Sequence, residues 1–379
     1  MDVRDFDFAL PEELIAQYPP PERGQSRLLV LPRAAGPIEH TTFPHLVDHL
    51  RKGDLLVTND TRVCPARLLG HRVPTGGAVE CLLLARLPDE AAAGATAGEG
   101  DVALCADAPA ATATGLAGDG ERWDALMHPG QKLKPGARVV FERDGARLHG
   151  EVVGRHFHGR RTIRLWAEGG DTVAAVVERI GHIPLPPYIT RADEALDHER
   201  YQTVYGRARG SIAAPTAGLH FTPSLLDALA ARGIEHVSIT LHVGYGTFKP
   251  VRVERVEEHQ VDPEVFTVSA VAADALTRAR REDRRIIAVG TTTTRALESL
   301  PVGDDGTIPP SAGSTQLFIY PGHQCRLVQG LVTNFHLPGS SLLMLVAAFG
   351  GRERVIEAYR EAVARGYRFY SYGDAMLIL

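Results

Sequence analysis

The sequence predicts an α/β protein, a mixed, largely parallel sheet domain flanked by helices, with an inserted small all-β barrel domain. Helix-like and strand-like segments alternate at the start of the chain and again from about residue 166 to the end, which is typical of a largely parallel sheet. Short β-like pieces fill the interval between them. At 379 residues the chain is also too long for one ordinary core. We therefore predict an α/β domain built from residues 1–60 and 166–379, and an inserted barrel at 61–165.

The first segment alternates helix and strand twice. The run "LPEELI" is helix-like and is followed, after a proline bend, by the strand-like "SRLLVL". The helix-like "HLVDHL" then precedes a turn at Lys52-Gly53-Asp54 and the strand-like "LLVTN". Both strand-like runs are apolar enough for a buried sheet.

The predicted barrel is a series of short strands separated by Gly, Pro and charged turns, a pattern typical of small barrels. Its pieces are "ARLLGHRV", "AVECLLLARL", "WDALMHP", "GARVVFER", "ARLHGEVVGRH" and "RTIRLWAEG". An Ala/Gly-rich stretch of low complexity, at about 88–121, is predicted to be a disordered loop without chemistry of its own.

The second segment returns to alternating elements. Helices are predicted at "DTVAAVVERIG", "SLLDALAAR", "SAVAADALTRARRED", "SSLLMLVAAFGG" and "ERVIEAYREAVARG". Strands are predicted at "HVSITLHVG", "RRIIAVG", "STQLFIYPG" and "LVQGLVTNFHLP". The helix after "SIAAPTAGLHFT" has clear signals, since Thr222 can cap it, Pro223 suits its first turn and Gly233 can end it.

Composition excludes several classes of protein. Hydrophobic residues make up 44% of the chain and charged residues 23%, and the apolar run 342–349 is far shorter than the roughly 20 residues of a membrane helix. The acidic start is broken by Pro11 and is no signal peptide. Four scattered cysteines, without a C-x-x-C pair, favour a cytoplasmic protein without a structural zinc site.

Four loops with small or polar residues follow predicted strands of the α/β region: "APTAGLHF", "LHVGYGTF", "VGTTTTRALES" and "TNFHLPGSS". Ligands of open α/β sheets bind beyond the carboxyl ends of the strands, so these loops predict a binding site. Threonine hydroxyls, helix-start amides and Arg295 could hold a carboxylate or phosphate, with Glu298 on the same helix face. A capped helix with a surface ion pair explains the same residues equally well.

Other small-molecule and metal patterns fail. "VGYGTF" lacks the third glycine of a dinucleotide fingerprint, and no P-loop occurs. The loop histidines His220, His242, His259 and His336 form no H-x-x-x-H pair, so they are better interpreted as hydrogen-bonding groups or proton carriers than as metal ligands.

A polyanion partner would need a local basic patch, because the formal net charge is −5. The run "RHFHGRRTIR", with aromatic residues between its cations on predicted barrel strands, is the best candidate for nucleic-acid contact.

Several blocks together resemble one family, the S-adenosylmethionine:tRNA ribosyltransferase-isomerases of queuosine biosynthesis. They are "RYQTVYGRARGSIAAPTAGLHFTPSLL", "TLHVGYGTFKPV", "GTTTTRALES", "LFIYPG", "TNFHLPGSSLLMLVAAFGG", "YRFYSYGDAMLI", and, near the start, "FDFALPEELIAQYP" and "GDLLVTNDTRVCPARLLG". The resemblance spans nearly the whole chain. It implies an α/β domain with an inserted barrel, in agreement with the organisation read from the residues.

The resemblance also implies an activity. The family transfers the ribosyl part of S-adenosylmethionine to 7-aminomethyl-7-deazaguanine at the tRNA wobble position and rearranges it, which gives epoxyqueuosine and releases adenine and methionine. S-adenosylmethionine is then a consumed ribosyl donor and no prosthetic group or metal is expected. The expected partners are that tRNA and S-adenosylmethionine, and the enzyme is expected to be monomeric and cytoplasmic, without membrane contact.

This chemistry needs a base for the 5′ carbon beside the sulfonium, a proton donor or hydrogen bonds for adenine, and a positive site for the methionine carboxylate. His220 is the preferred base, with His336 and His242 behind it, and Asp374 is a further catalytic candidate. The carboxylate site is expected at 291–294 with Arg295. The remaining predicted substrate contacts are Asn59, Asp60, Arg62, Thr216, Gly218, Thr291, Thr292, Glu298, Asn334 and Tyr372.

One block departs from the family pattern. The family commonly has an "EHKMHSE"-like block after Lys249, and here the chain has "EEHQVDPE", with Asp262 at the place of a histidine. A role for that histidine is not carried over. Two other classes stay open: a non-catalytic tRNA-binding protein that uses the barrel, and a metal-dependent hydrolase built on the loop histidines.

Overall fold

The computed structural model describes residues 1–34, 36–88 and 120–379. In these ranges the strands are β1 Arg27–Leu31, β2 Glu39–Thr42, β3 Leu55–Asn59, β4 Thr61–Val63, β5 Arg67–Val73, β6 Ala78–Arg86, β7 Glu121–His128, β8 Arg138–Arg143, β9 Ala146–Arg155, β10 Arg160–Ala167, β11 Ala208–Ser211, β12 Glu235–Leu241, β13 Glu264–Val268, β14 Ile286–Val289, β15 Ser311–Thr315, β16 Gly330–Asn334 and β17 Ala375–Ile378. The helices are α1 Leu46–His49, α2 Val173–Ile180, α3 Asp197–Arg200, α4 Pro223–Ala231, α5 Ala270–Arg281, α6 Thr291–Glu298, α7 Ser341–Gly350 and α8 Arg352–Ala364.

The large sheet has the order β15-β13-β12-β3-β14-β16-β17-β1-β2. Its centre, β12-β3-β14-β16, is parallel, with Leu55 of β3 opposite Glu235 on one side and Ile286 on the other. The pair β1-β17 is also parallel, whereas β1-β2, β12-β13, β13-β15 and β16-β17 are antiparallel. A mixed sheet with a parallel centre is therefore confirmed, with parallel pairing in about half of the neighbouring pairs between described strands.

Helices cover both faces of this sheet, which explains why β3, β14 and β16 are buried along their whole length. Side chains alternate between the two sides of β1. Leu29 and Leu31 join the core beneath α5 to α8, whereas Leu28 and Val30 pack with residues of α1 and α4. The three first-segment strands, β1, β2 and β3, thus join a sheet whose other strands come from far along the chain.

The predicted barrel is confirmed as a separate closed barrel in the order β10-β7-β6-β5-β8-β9, antiparallel throughout. Helix α2 shares its core, since Val176 and Ile180 belong to the same cluster as Leu148 and Val152. Strand β4 pairs in parallel with β11 beside the barrel. The domain boundaries at 61 and 165 stay a prediction. The loop predicted at about 88–121 lies, apart from its ends, outside the described residues.

Two local expectations differ from the structure. The predicted strand "STQLFIYPG" is strand only at its start, because β15 ends at Thr315 and the chain then leaves the sheet. The helix signals at Thr222 and Pro223 are correct, since the Thr222 hydroxyl accepts a hydrogen bond from the Leu225 amide at the start of α4. In the described parts of the chain, no helix has the length and apolarity needed to cross a membrane.

Candidate active site

A pocket lies at the carboxyl ends of β14 and β16 and beside the segment that follows β11. All four loops that the sequence singles out contribute to it. They supply Pro215, Thr216 and Ala217; Val243 and Thr247; Gly290, Thr291 and Thr292; and Thr333, Asn334 and His336. The four loops thus meet at one pocket, and its role as a binding site stays a prediction.

The N-terminus of α6 forms one wall of the pocket. Gly290 precedes the helix with φ 94°, a conformation that favours glycine. The Thr294 amide donates to the Gly290 carbonyl oxygen at 3.1 Å, so the amides before it have no intrahelical acceptor. Thr291 and Thr292 place their side chains at the pocket, and the helix end favours an anionic group there.

His336 lines the pocket as a neutral imidazole. Its Nε2 lies 2.8 Å from Oγ1 of Thr333, which is also a pocket residue. Burial lowers the pKa of His336 to about 3, because the surroundings disfavour the charged ring. The ring is therefore unprotonated at neutral pH.

Asn334 lies at the end of β16 and also faces the pocket. Its Nδ2 lies 3.0 Å from the carbonyl oxygen of Tyr370 and 3.1 Å from Nε2 of His220. Its Oδ1 is buried and has no hydrogen-bond partner among the residues that the structure describes. A buried acceptor without a partner is costly, so this oxygen is suited to a ligand donor.

His220, the preferred base of the sequence analysis, does not line the pocket. Its Nδ1 lies 2.8 Å from the Ser26 hydroxyl, and its Nε2 faces Asn334. Burial, and secondarily the nearby charges of Arg23 and Arg368, lowers the pKa of His220 to about 3. With both ring nitrogens engaged, His220 is placed to orient Asn334, and its role as base stays a prediction.

Three tyrosines give the pocket an aromatic side: Tyr188, Tyr201 and Tyr370. The rings of Tyr188 and Tyr370 lie 3.8 Å apart between centroids, and the Tyr188 hydroxyl is 2.6 Å from the Ser371 hydroxyl. Sequence reasoning missed all three tyrosines. A signal existed in the proline-rich "PLPPYIT" and in "YRFYSYGDA", but tyrosines in such runs are equally common in cores.

Arg295, a residue of α6, is buried and does not line the pocket. Its NH1 group donates to Glu264 at 2.6 Å, and its Nε donates to the Leu317 carbonyl oxygen. Glu264 in turn accepts from the hydroxyl of Thr247, a pocket residue, at 3.1 Å. Arg295 thus forms a buried ion pair that supports the loop carrying Thr247, while its NH2 group has no hydrogen-bond partner among the described residues. Its direct contact with a substrate carboxylate stays a prediction.

Several predicted substrate contacts lie away from the pocket and have other partners. Asn59 bonds the backbone of Leu241 through both its amide groups, which joins the ends of β3 and β12. Asp60 accepts from Thr240 and Arg207, and His242 contacts Thr61. Arg62 is exposed on β4. These side chains hold the strand ends, and their role in substrate contact stays a prediction without support from the pocket.

The remaining predicted residues have structural partners. Asp374 accepts four hydrogen bonds from Arg27 and the Arg368 amide, and Tyr372 donates to Asp197 at 2.7 Å. Glu298, at the far end of α6, accepts from three backbone amides at 326–328. At Gly218 a Cβ would lie 2.2 Å from the Tyr205 hydroxyl oxygen, so this glycine permits close packing.

The departure at Asp262 also lies outside the pocket. Its carboxylate pairs with Lys249 at 2.6 Å, and the side chain packs against Gly246 in the loop after β12. The loop histidines do not converge on a metal either. Among the residues described, His220, His242 and His336 each bond a different hydroxyl, and the potential metal-ligand group lies elsewhere.

A pocket lined by loops at the carboxyl edge of a parallel sheet centre is the arrangement of an α/β enzyme that acts on a small molecule. The chain belongs to the family of queuosine biosynthesis proteins, whose family model matches residues 3–378. It is 50% identical to the S-adenosylmethionine:tRNA ribosyltransferase-isomerase of Symbiobacterium thermophilum and 47% identical to that of Heliobacterium modesticaldum, with both chains fully covered in each case. The crystal structure of S-adenosylmethionine tRNA ribosyltransferase from Thermotoga maritima matches with a TM-score of 0.51 and 37% identity, over 99% of this chain and 100% of that chain.

Proposed function

We propose that this chain is an S-adenosylmethionine:tRNA ribosyltransferase-isomerase that acts on 7-aminomethyl-7-deazaguanine at the tRNA wobble position. The product is epoxyqueuosine in tRNA, and adenine and methionine leave. The observation that carries the proposal is the convergence of four loops on a pocket with an anion-favouring helix start, a neutral histidine and an aromatic side. These are the groups that a sulfonium donor with a carboxylate and a purine requires.

The methionine carboxylate binds at the N-terminus of α6. Free amides and the hydroxyls of Thr291 and Thr292 supply donors there, and the helix dipole adds a favourable field. Arg295 contributes indirectly, because it holds Glu264 and through it Thr247.

The adenine ring lies against the tyrosine side of the pocket. Aromatic rings stack well on a purine, and the Asn334 Oδ1 accepts a hydrogen bond from the exocyclic amine or from a ribosyl hydroxyl. Thr216 also lines the pocket, and its hydroxyl is a further hydrogen-bonding group in this region.

His336 carries the proton. The sulfonium acidifies the 5′ carbon, neutral His336 takes that proton, and the resulting imidazolium passes it to the departing adenine. The attacking amine loses its own proton to solvent, so one proton is released for each turnover.

The tRNA contacts the barrel at the turn between β9 and β10. Phe157 is 88% exposed there, and Arg161 pins the turn by donating to the carbonyl oxygens of Gly130, Leu133, His156 and Arg160. Lys132, Lys134 and Arg155 are exposed around it, and no ion pair is described for them within the ranges that the structure covers. A rigid exposed aromatic ring among unpaired cations suits an unstacked base and its phosphates.

The direct test incubates the purified chain with S-adenosylmethionine and tRNA bearing 7-aminomethyl-7-deazaguanine. Adenine release together with epoxyqueuosine in the digested nucleosides is the expected result. A tRNA with guanine at the same position is the matched substrate control. Methyl transfer, or tRNA binding without adenine release, would refute the proposal and favour a tRNA-binding protein.

The oligomeric state and compartment are part of the same proposal: a monomer that works in the cytoplasm with S-adenosylmethionine as consumed substrate. Light scattering of the purified chain, with and without tRNA, measures the oligomeric state. A dimer mass at working concentration would refute it.

A further inference from the structure

Three side chains that are each able to bind a metal, namely a carboxylate, an imidazole and a thiol, lie close together at the C-terminal end of α6. Glu298 is the last residue of this helix, and His323 and Cys325 lie in the connection between β15 and β16. One ligand atom from each residue lies within 4.8 Å of the others. None of the three lines the pocket described above.

The three ligand atoms are spaced slightly wider than the ligands of a tetrahedral metal ion. Ligands at about 2.0–2.3 Å from a tetrahedral metal are about 3.3–3.8 Å apart. The Glu298 Oε2 and the His323 Nε2 are 3.9 Å apart, and no two of the three ligand atoms are more than 4.8 Å apart, so shifts of at most about 1 Å bring them to the spacing around an ion.

The Glu298 carboxylate is held in place before any ion binds. The Arg326 amide donates to Oε2 at 2.7 Å, and the amides of Leu327 and Val328 donate to Oε1 at 3.0 and 2.9 Å. One lone pair of Oε2 remains toward His323. Backbone donors that fix a ligating carboxylate are the usual support of metal sites.

The other two ligands are available. The Nε2 of His323 is buried and has no hydrogen-bond partner in the described part of the chain, which is the state that an absent ligand would relieve. Cys325 is a free, partly exposed thiol. Metal binding replaces its proton, which goes to solvent.

We propose that Glu298, His323 and Cys325 bind one zinc-class divalent cation, with solvent in the fourth position. Thiolate, imidazole and carboxylate together suit Zn²⁺ and exclude Mg²⁺ or Ca²⁺, which prefer oxygen alone. The ion would fasten the loop at 320–328 to the end of the helix whose other end forms the pocket wall. The proposal is independent of the ribosyl-transfer activity.

The test uses the full-length chain, stripped of metal with a chelator and titrated with Co²⁺ and then with Zn²⁺. One Co²⁺ per chain, a thiolate charge-transfer band, and displacement by Zn²⁺ are expected. His323→Ala and Cys325→Ser should each lower the affinity at least about tenfold, whereas His158→Ala and Cys64→Ala should bind as the wild type does. Zn²⁺ should also raise the Tm of the wild type and not that of the two site variants, provided that circular dichroism shows them folded. A Co²⁺ spectrum without a thiolate band, or equal affinity in wild type and site variants, would overturn the proposal.

Discussion

The side-chain amide of Asn334 donates to Nε2 of His220 at 3.1 Å. The same Nδ2 lies 3.0 Å from the Tyr370 carbonyl oxygen, which can only accept, so the orientation of the amide is fixed. Nε2 of His220 is then the acceptor, and its Nδ1–H donates to Ser26. The consequence is that Oδ1 is the atom of this amide that lacks a partner among the described residues, and that buried His220 helps to fix the orientation of the amide.

The two histidines should therefore have separable effects. His336→Gln should abolish exchange of the 5′ hydrogens of S-adenosylmethionine with solvent deuterium and lower kcat at least about a hundredfold, because a general base is lost. His220→Asn should mainly raise KM for S-adenosylmethionine and leave the exchange in place. Mass spectrometry of recovered donor and product measures the exchange, and His242→Gln, outside the pocket, is the control.

The opposite pattern would make His220 the base, as the sequence analysis expects. Loss of exchange in His220→Asn together with normal exchange in His336→Gln would exclude the role of His336 and require the pocket to open toward His220.

Stability should fall as the pH falls below the ordinary histidine range. Burial lowers the pKa of both His220 and His336 to about 3, whereas the unfolded chain binds these protons near pH 6.5. The stabilisation is thus fully present above about pH 6.5 and is lost toward pH 3, by about 1.4 kcal/mol for each histidine between about pH 7.5 and 5.5.

Urea unfolding at these two pH values measures this difference. In His220→Asn the change in the free energy of unfolding between them should be smaller by about 1.4 kcal/mol than in the wild type. Comparison with the wild type is needed because burial also lowers the pKa of His236, His242 and His259. An unchanged pH dependence in the variant would show that His220 is solvated or charged in the folded chain.

The helix start of α6 can be tested through its expected ligand group. Thr292→Val removes a pocket hydroxyl and should raise KM for S-adenosylmethionine about tenfold, as for a lost hydrogen bond to a charged group. Decarboxylated S-adenosylmethionine should bind wild type and variant equally, because it lacks the group that the hydroxyl contacts. Calorimetry provides both affinities.

Thr293→Val is the matched control for this helix. The Thr293 hydroxyl donates to the Val289 carbonyl oxygen and does not line the pocket, so donor affinity should be unchanged. If Thr292→Val weakened the binding of decarboxylated S-adenosylmethionine as much as that of S-adenosylmethionine, the carboxylate would have to bind elsewhere.

The sequence was sufficient for the fold and for the loops that meet at the pocket, because both depend on local patterns. Alternating segments predict the sheet and the barrel, and small residues after strands predict the loops that line the pocket. The role of a side chain depends on the direction in which it points in the folded chain, and the sequence alone does not show that direction. Arg295 lies one helical turn from Thr291, yet its guanidinium turns to Glu264, a residue 31 positions away in sequence.

The unknown direction of side chains also explains why polar residues that were expected to contact the substrate have other partners in the structure. Asn59 and Asp374 lie at strand ends, where a free polar group would face a ligand, but distant backbone groups and Arg27 satisfy them. The tyrosines of the pocket were missed for the converse reason. Tyr188 and Tyr370 meet across 182 positions of sequence, and only the tertiary fold shows that they face a cavity instead of a core.

The barrel turn yields the last prediction. Phe157→Ala should raise KM for tRNA about five- to a hundredfold, the range expected when one base loses its aromatic platform, with KM for S-adenosylmethionine unchanged. Leu69→Ala is the matched control, because Leu69 is another exposed apolar side chain of the barrel. A Lys132→Ala/Lys134→Ala variant should weaken tRNA binding and flatten its salt dependence, since fewer counterions are released. If Phe157→Ala and Leu69→Ala bind tRNA as tightly as the wild type, the tRNA must dock on a different face, and the rigid turn that Arg161 holds would serve the barrel alone.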